Sequence, residues 1–340
     1  MVSTKFLAEL AGVSQSTVSR SLNDSPHISA KTKARICALA KEYGYAVHRH
    51  KKSTILSPDR CFIGLLTTQQ PFFAELFINS VLNKLQQLLQ NENYYSLQLL
   101  NFTSENKGAE KILHLAKGNL LRGLIIVNRE FDELFESYLQ EINIPHVYLL
   151  HCGKSMLDRV NLVDTDNYYG GYLATQHLIS FGHKKIATIS CPWREFEERT
   201  DGYIRALKRA KLPIDQNLIF CGNRTYDDGY HIISENIDLF SQTTAIYAQN
   251  DVIALGALNA LVDHGIRVPE DVSIVGSDGY DLGAMCRPQL DSVAHPLDEL
   301  TQQTINLLFS LIDNPRPKFP TKMLLRPNLI LRQSVSQPRK

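Results

Sequence analysis

The chain has 340 residues, 44% of them hydrophobic and 21% charged, with a formal net charge of +1. That length and apolar share suffice for two or three domains with their own cores and exclude a disordered or collagen-like chain. The charge is uneven: residues 1–60 hold ten Lys and Arg against four Asp and Glu, a balance of +6, which leaves −5 for the remainder, so a polyanionic partner is expected at the amino-terminal end.

The first residues, MVSTKFLAELAGVS, have no charged segment ahead of their apolar run, which Glu9 interrupts, and no later run approaches ~20 apolar residues. Neither export nor membrane spanning is expected, and a cytoplasmic location is. Six cysteines, at 37, 61, 152, 191, 221 and 286, never fall at metal-ligand or disulfide-framework spacing and read as reduced thiols.

Ser3 offers an N-cap for a first helix with Leu7, Leu10 and Ala11 at helical spacing. Gly12 supplies a tight turn, Val13 packs inward, and Ser14 caps a second helix, Gln15 to Leu22, whose apolar side is Val18 and Leu22. A third helix begins at Ser29, turns Ile36, Leu39 and Ala40 inward and ends at Gly44, a natural C′ residue. These three make a helix-turn-helix unit around one small core. Its second helix presents Gln15, Ser16, Ser19 and Arg20 away from that core. Glutamine bonds adenine bidentately, arginine bonds O6 and N7 of guanine, and short hydroxyls at a helix N-terminus suit phosphates. Any one Ser or Thr reads better as a cap or a solvated surface residue, but the constellation on a basic three-helix unit points to double-stranded DNA.

The stretch LAELAGVSQSTVSRSLNDSPHISAKTKARICALAKEYGY resembles the headpiece of the lactose-repressor and galactose-repressor (LacI/GalR) family of bacterial transcription regulators, through the gap-free motif A-G-V-S-x-x-T-V-S-R-x-L-N. The resemblance implies that Gln15, Ser16 and Arg20 read bases, and that Ser14, Thr17, Ser19, Asn23, His27, Ser29 and Thr32 hold phosphates or orient the reading helix. Thr4 and Phe6 depart from the family pattern, away from the reading face.

Family members continue with Y-x-P-N-x-x-A-R-x-L, a hinge helix that folds on operator DNA and pushes its leucine into the minor groove. Here the register reads YAVHRHKKST, with Val47, His48, Lys51, Lys52 and Thr54 at the Pro, Asn, Ala, Arg and Leu positions. Thr54 cannot part a base step as leucine does, and Ile55 or Leu56 would do so only with a register shift. The run HRHKK reads either as a phosphate-binding segment or as a solvated linker ending at Ser57-Pro58.

From Cys61 onward the pattern is that of a parallel α/β chain. The apolar runs CFIGLLT, YSLQLLNF, GLIIV and HVYLL alternate with amphipathic stretches at 74–90, 105–117 and 131–141. A second cycle follows, with RVNLVDTD, KIATIS, LIFCG, TAIYAQ and VSIVGSD alternating with helices that begin near Tyr168, Phe196, Tyr226, Val252 and Asp281. A late helix at 298–312 and the strands DSVAHPL and TKMLLRPNLILR complete both cycles by crossing between them. The expected fold is an all-α helix-turn-helix headpiece followed by an α/β core of two doubly wound parallel-sheet subdomains. The divisions are a headpiece over 1–45, a hinge over 46–60 and a core over 61–340. Within the core, a first half takes about 61–160 plus 293–320 and a second about 161–292 plus 321–333.

This core is similar to the type I periplasmic-binding-protein fold with which the same family senses small molecules, in VDTDNYYGGYLATQHLISFGHKKIATIS, ERTDGYIRAL, TAIYAQNDVIALGAL, VPEDVSIVGSDGYDL and RPQLDSV. Ligands in such folds lie between the halves, beyond the carboxyl ends of strands. The resemblance implies that Arg199, Asn250 and Asp278 bond effector hydroxyls and that Phe73 packs on the effector. Leu150, Trp193, Arg224 and His295 fall at or beside pocket registers. Leu150 stands where an acid is frequent, and Arg224 adds a cation, so the expected effector is a sugar, a sugar acid or a sugar phosphate.

An enzyme is the competing reading. CGKS at 152–155 lacks the first glycine of a phosphate loop, since Tyr148 stands there, and G-x-G-x-x-G, G-x-S-x-G and H-E-x-x-H do not occur. No cofactor, metal site or catalytic residue is assigned. The remaining expectation is a homodimer on a pseudo-palindromic operator, acting as a repressor; a cytosolic sugar sensor or sugar-processing enzyme is the alternative.

Overall fold

The computed structural model describes residues 4–22, 28–43, 61–67, 72–92, 95–101, 108–118, 120–127, 133–150, 152–314 and 319–339. Asn23 and His27 of the headpiece and the hinge candidates Lys51, Lys52, Thr54 and Ile55 lie outside the described residues. The chain divides into two units, Met1–Ile55 and Leu56–Lys340.

In the first unit three helices follow one another, α1 (Thr4–Ala11), α2 (Gln15–Leu22) and α3 (Ala30–Glu42). Gly12 takes φ +58°, a left-handed conformation that costs little without a Cβ, and so reverses the chain between α1 and α2. Leu7, Ala8, Ala11, Val18, Ile36 and Ala40 are buried together, with Val13, Leu22 and Leu39 at the edge. Leu10, expected inside, is exposed. Residues 7, 8 and 11 share one helical face, and position 10 lies about 100° from its centre.

The second unit contains two six-stranded sheets. The chain first runs β1 (Phe62–Thr67), α4 (Phe72–Glu92), β2 (Ser96–Asn101), α5 (Gly108–Lys117), β3 (Leu121–Ile126), α6 (Glu133–Glu141), β4 (His146–Leu149) and β5 (Leu162–Thr165). It continues through α7 (Asn167–Ser180), β6 (Ile186–Ser190), α8 (Arg194–Arg209), β7 (Ile219–Cys221), α9 (Tyr226–Glu235), α10 (Ile237–Ser241), β8 (Ala245–Ala248), α11 (Asp251–Asp263), β9 (Ser273–Asp278) and α12 (Leu282–Met285). Last come β10 (Asp291–Ala294), α13 (Leu297–Asp313), β11 (Lys322–Leu325) and β12 (Asn328–Ile330). Strand order is β11-β5-β4-β3-β1-β2 in the first sheet and β12-β10-β9-β8-β6-β7 in the second. Every described pairing is parallel except β10 with β12.

Apolar layers cover both faces of each sheet, as predominantly parallel strands require. Val81, Leu85 and Leu89 of α4 meet Leu300, Leu308 and Leu311 of α13 on one side of the first sheet, and Ile112, Phe135 and Leu139 cover the other. The second sheet is sandwiched likewise, by α9 to α11 and by α7 with α8.

The expected subdomain boundaries require correction. RVNLVDTD was assigned to the second half, yet its strand β5 pairs with β4, and β11 pairs with β5, so both extend the first sheet. Strand β10, by contrast, lies wholly in the second sheet. The chain leaves the first sheet only at Asp166, whose side chain accepts from the Tyr169 amide at 2.8 Å and opens α7. The other two crossings follow Ala294 and Leu325. Each crossing is later than expected; at the first, the buried Leu162 and Val163 carry the strand on and complete the sheet before the polar turn begins.

Candidate functional site

The headpiece positions its second helix through paired hydroxyls. Ser14 Oγ accepts from the Thr17 amide at 3.1 Å and lies 2.8 Å from Thr17 Oγ1. Ser29 does the same for α3, with the Thr32 amide at 3.2 Å and Thr32 Oγ1 at 2.8 Å. Four of the residues expected to hold phosphates or orient the helix thus form two N-caps. Gln15 is exposed in the first turn of α2. Ser16, Ser19 and Arg20 belong to α2 by their backbone, and their side chains lie outside the described residues.

In the core, three candidates converge on the carboxylate of a fourth. Asp278 ends β9 with φ 105°, a conformation rare for a residue with a side chain. Its Oδ1 lies 3.2 Å from Arg199 Nη2 and 3.3 Å from His295 Nε2, while Oδ2 accepts from Asn250 Nδ2. Asn250 is fixed from its other end, because its Oδ1 caps α11 by accepting from the Val252 and Ile253 amides at 2.9 and 3.3 Å. Arg199 donates through Nε to Asn167 Oδ1 at 3.0 Å and through Nη1 to the Gln249 carbonyl. With His295 Nε2 donating to Asp278, its Nδ1 accepts from the Thr165 hydroxyl at 2.7 Å.

Two glycines make the Arg199–Asn167 contact possible. A Cβ on Gly171 would lie 1.9 Å from the Arg199 carbonyl oxygen, and one on Gly202 would lie 2.1 Å from that of Tyr168. Helices α7 and α8 therefore touch backbone to backbone, closer than side chains allow.

The electrostatics separate two neighbouring acids. Burial works to raise the Asp278 carboxyl, but Arg199 and His295 outweigh it and hold the group down at about 2. Asp251, the first residue of α11, is pushed up to about 8 by burial and by the charge of Asp278, against hydrogen bonds from Ser292 Oγ at 2.6 Å and the Tyr280 amide at 2.7 Å. Ionisation of the pair is therefore driven onto Asp278 ahead of Asp251. Burial, reinforced by Asp278, also raises the Tyr280 phenol well above its ordinary value.

The other candidates are more scattered. Leu150 takes φ 67° after β4 and is buried in the apolar layer of the first sheet. Trp193 is the N-cap residue of α8, half-buried, its ring 5.8 Å from that of Phe196. Arg224 sits half-buried between β7 and α9; its charge reaches Asp278 and Tyr280. Among the described residues it makes no hydrogen bond or ion pair. Phe73 lies on α4 by its backbone, and its side chain is outside the described residues. Sequence reading missed Asn167, Gln249, Asp251, Tyr280 and Thr165. The strings DTDN, QND and SDGY contained them, but nothing in spacing alone marks which of adjacent polar residues turns inward. Among the described residues no group of His, Cys, Asp and Glu is arranged to hold a metal, and no helix is long and apolar enough to cross a membrane. All six cysteines are free, and burial pushes Cys152 up to about 11 and Cys191 to about 12.

Comparison with known proteins agrees with both parts of the chain. The family of bacterial regulatory proteins of the lacI type matches residues 6–47, and a periplasmic binding protein-like domain matches residues 175–335. The HTH-type transcriptional repressor PurR of Photorhabdus laumondii subsp. laumondii is 30% identical, across 98% of this chain and 97% of its own. A solved transcriptional regulator CelR–cellobiose complex is 30% identical with a TM-score of 0.71, covering 98% of this chain and 100% of its own. A LacI family transcriptional regulator from Enterococcus faecium with bound ribose is 27% identical with a TM-score of 0.67, covering 82% of this chain and 100% of its own.

Proposed function

Since the chain belongs to the lacI family of bacterial regulatory proteins, we propose that it is a sequence-specific DNA-binding repressor whose hold on its operator is set by a small carbohydrate-like effector. The observation that carries this reading is the convergence of Arg199, Asn250 and His295 on Asp278 at the carboxyl ends of the strands, in a chain that also bears a basic, doubly capped helix-turn-helix. An array of fixed donors around one carboxylate is suited to vicinal hydroxyls, each of which both donates and accepts.

The repressor works in the cytoplasm, on the nucleoid when DNA-bound, as a homodimer. Two headpieces take the two halves of a pseudo-palindrome, because a single three-helix module buries too little surface for high specificity. Gln15, Ser16 and Arg20 read base edges, and Ser14, Thr17, Ser19, Ser29 and Thr32 with Asn23 and His27 set the helix against phosphates. Lys51 and Lys52 add counterion release, with Thr54 or Ile55 at the minor groove. In the core, Arg199, Asn250, Asp278 and His295 bond the effector, with Phe73, Trp193 and Leu150 on its apolar faces. Arg224, which has no ion-pair partner among the described residues, takes an acidic substituent, so the effector is a sugar acid or sugar phosphate rather than a neutral sugar.

The test is to incubate the full chain, and separately residues 61–340, with fragmented genomic DNA of the source organism at moderate salt and to sequence what is retained. A palindrome recovered by the full chain alone is expected. Retention of no sequence by the full chain, combined with turnover of a sugar substrate, would support the enzyme reading instead. For the effector, calorimetry with ribose 5-phosphate against ribose decides whether Arg224 selects an anion: equal binding of both removes that role.

A further inference from the structure

The first turn of α8 belongs to the second half of the core but holds on to the first. Arg194 Nη2 donates to Asp164 Oδ2 of β5 at 2.7 Å, and both side chains are almost wholly buried. The same guanidinium donates through Nη1 to Glu198 Oε1, one turn along its own helix, at 2.9 Å. Glu198 is one-third exposed where Asp164 is 1% exposed. Beside this pair Lys154, in the loop after β4, donates to Glu197 Oε2 at 2.7 Å in full view of solvent.

An ordinary buried ion pair is a poor moving part, because losing one partner strands a charge in a dry environment. Arg194 differs in having two acceptors on two different bodies. If the halves separate, Asp164 returns to water and Arg194 keeps Glu198, so neither charge is stranded. Asp164 is also reluctant in its buried place: burial raises its carboxyl to about 6 despite the attraction of Arg194. The contact therefore carries a desolvation cost that parting of the halves would relieve. Five residues farther along the helix is Arg199, already tied to Asp278 and Asn167, so a shift of α8 caused at the carboxylate cluster reaches Arg194 within about 8 Å of helix.

We propose that Arg194 is a toggle between the two halves of the core, held by Asp164 and Glu198 together when they are latched and by Glu198 alone when they part, with α8 linking it to the Asp278 cluster. Asp164 and Glu198 then act in opposition. Weakening Asp164 favours the parted state, whereas weakening Glu198 leaves Asp164 as the sole partner and favours the latched state.

The experiment uses the full chain without effector, so a wrong effector assignment leaves it intact. Spin labels are attached through non-natural residues at exposed positions Asn306 of the first half and Gln242 of the second, and labelled chains are diluted with unlabelled protein before the distance distribution is recorded by pulsed electron resonance. Asp164→Asn, which keeps shape and removes charge, is expected to raise the parted-to-latched ratio about tenfold, and Glu198→Gln to lower it. Glu198→Gln sits at a part-exposed site where folding is not at stake, so it stands as a test even if Asp164→Asn proves unstable. An unchanged distribution in Glu198→Gln, or both variants moving the same way, overturns the toggle.

Discussion

At the scale of single residues, the two acids Asp251 and Asp278 make opposite contributions to stability. Asp278 is held near 2, below the usual value of 3.8, so it favours the folded state by roughly 2 kcal/mol above about pH 4, and that contribution is lost as pH falls through 2. Asp251 is raised to about 8. Its contribution is complete below about pH 4 and declines as pH rises through 8, because the unfolded chain releases that proton far earlier than the folded one. The wild-type core is therefore expected to lose stability steadily between pH 4 and 8, while Asp251→Asn, neutral throughout, holds it. Denaturant midpoints at pH 5, 6.5 and 8 measure this. A wild type and Asp251→Asn that run parallel across the range would mean that Asp251 is ionised in the fold. Asp278→Asn removes the like charge that helps to raise Asp251, so it should also shift the Asp251 decline toward lower pH.

At the scale of elements, the contact between α7 and α8 is where sequence becomes site geometry. Gly202→Ala would thrust a methyl to within 2.1 Å of the Tyr168 carbonyl, and the helices must separate, at a cost of about 3 kcal/mol or more. Gly153→Ala is the control: its added methyl meets nothing nearer than the end of Met156, at 3.5 Å, and its backbone lies at φ −60°, so its stability should change by about 0.5 kcal/mol at most. Thermal unfolding of both decides whether close approach, rather than glycine content, sets the cost. The same contact marks what the sequence disclosed. Alternation of apolar runs with amphipathic stretches revealed β1 to β9, because parallel strands buried on both faces admit few polar residues, whereas TKMLLRPNLILR, read as one strand, is divided between the two sheets as β11 and β12, which are largely exposed. The short α10 left no such signature. The carboxylate cluster was legible in part: Arg199, Asn250 and Asp278 stood in motif strings, whereas Asn167 reaches Arg199 only because α7 is drawn against α8, and Thr165 reaches His295 from the end of β5, just before the chain changes sheets at Asp166. Which strand ends which half was hidden for the same reason, since β5 is apolar enough for either sheet. Leu10 shows the limit at finer scale: an i,i+3 spacing matched it to the core of α1, and the neighbouring Ala8 took the place.

At the scale of the whole chain, charge is segregated, with +6 in residues 1–60 and −5 in the rest, and this makes salt dependence a reporter of how many headpieces hold DNA. A dimer engaging roughly six to ten phosphates should show log K falling against log salt with a slope of about −5 to −9, losing ~10³ to 10⁵ in affinity between about 50 and 200 mM. Residues 61–340, net negative, should have no measurable affinity to lose. If the effector weakens operator binding, the operator must weaken effector binding by the same factor, in the range of about 5- to 150-fold for coupling of this kind. The slope then identifies the mechanism. Parting of the halves that lifts one headpiece off its half-site should cut the slope by about half, since half of the phosphate contacts go. A change that loosens both headpieces equally, or alters only base contacts, should lower affinity at every salt concentration and leave the slope as it was. Titrating the captured operator at four salt concentrations, with and without the effector that calorimetry identifies, separates the two. An unchanged slope alongside a weakened operator complex would place the coupling in the fit of the reading helices, and a halved slope would place it in their spacing.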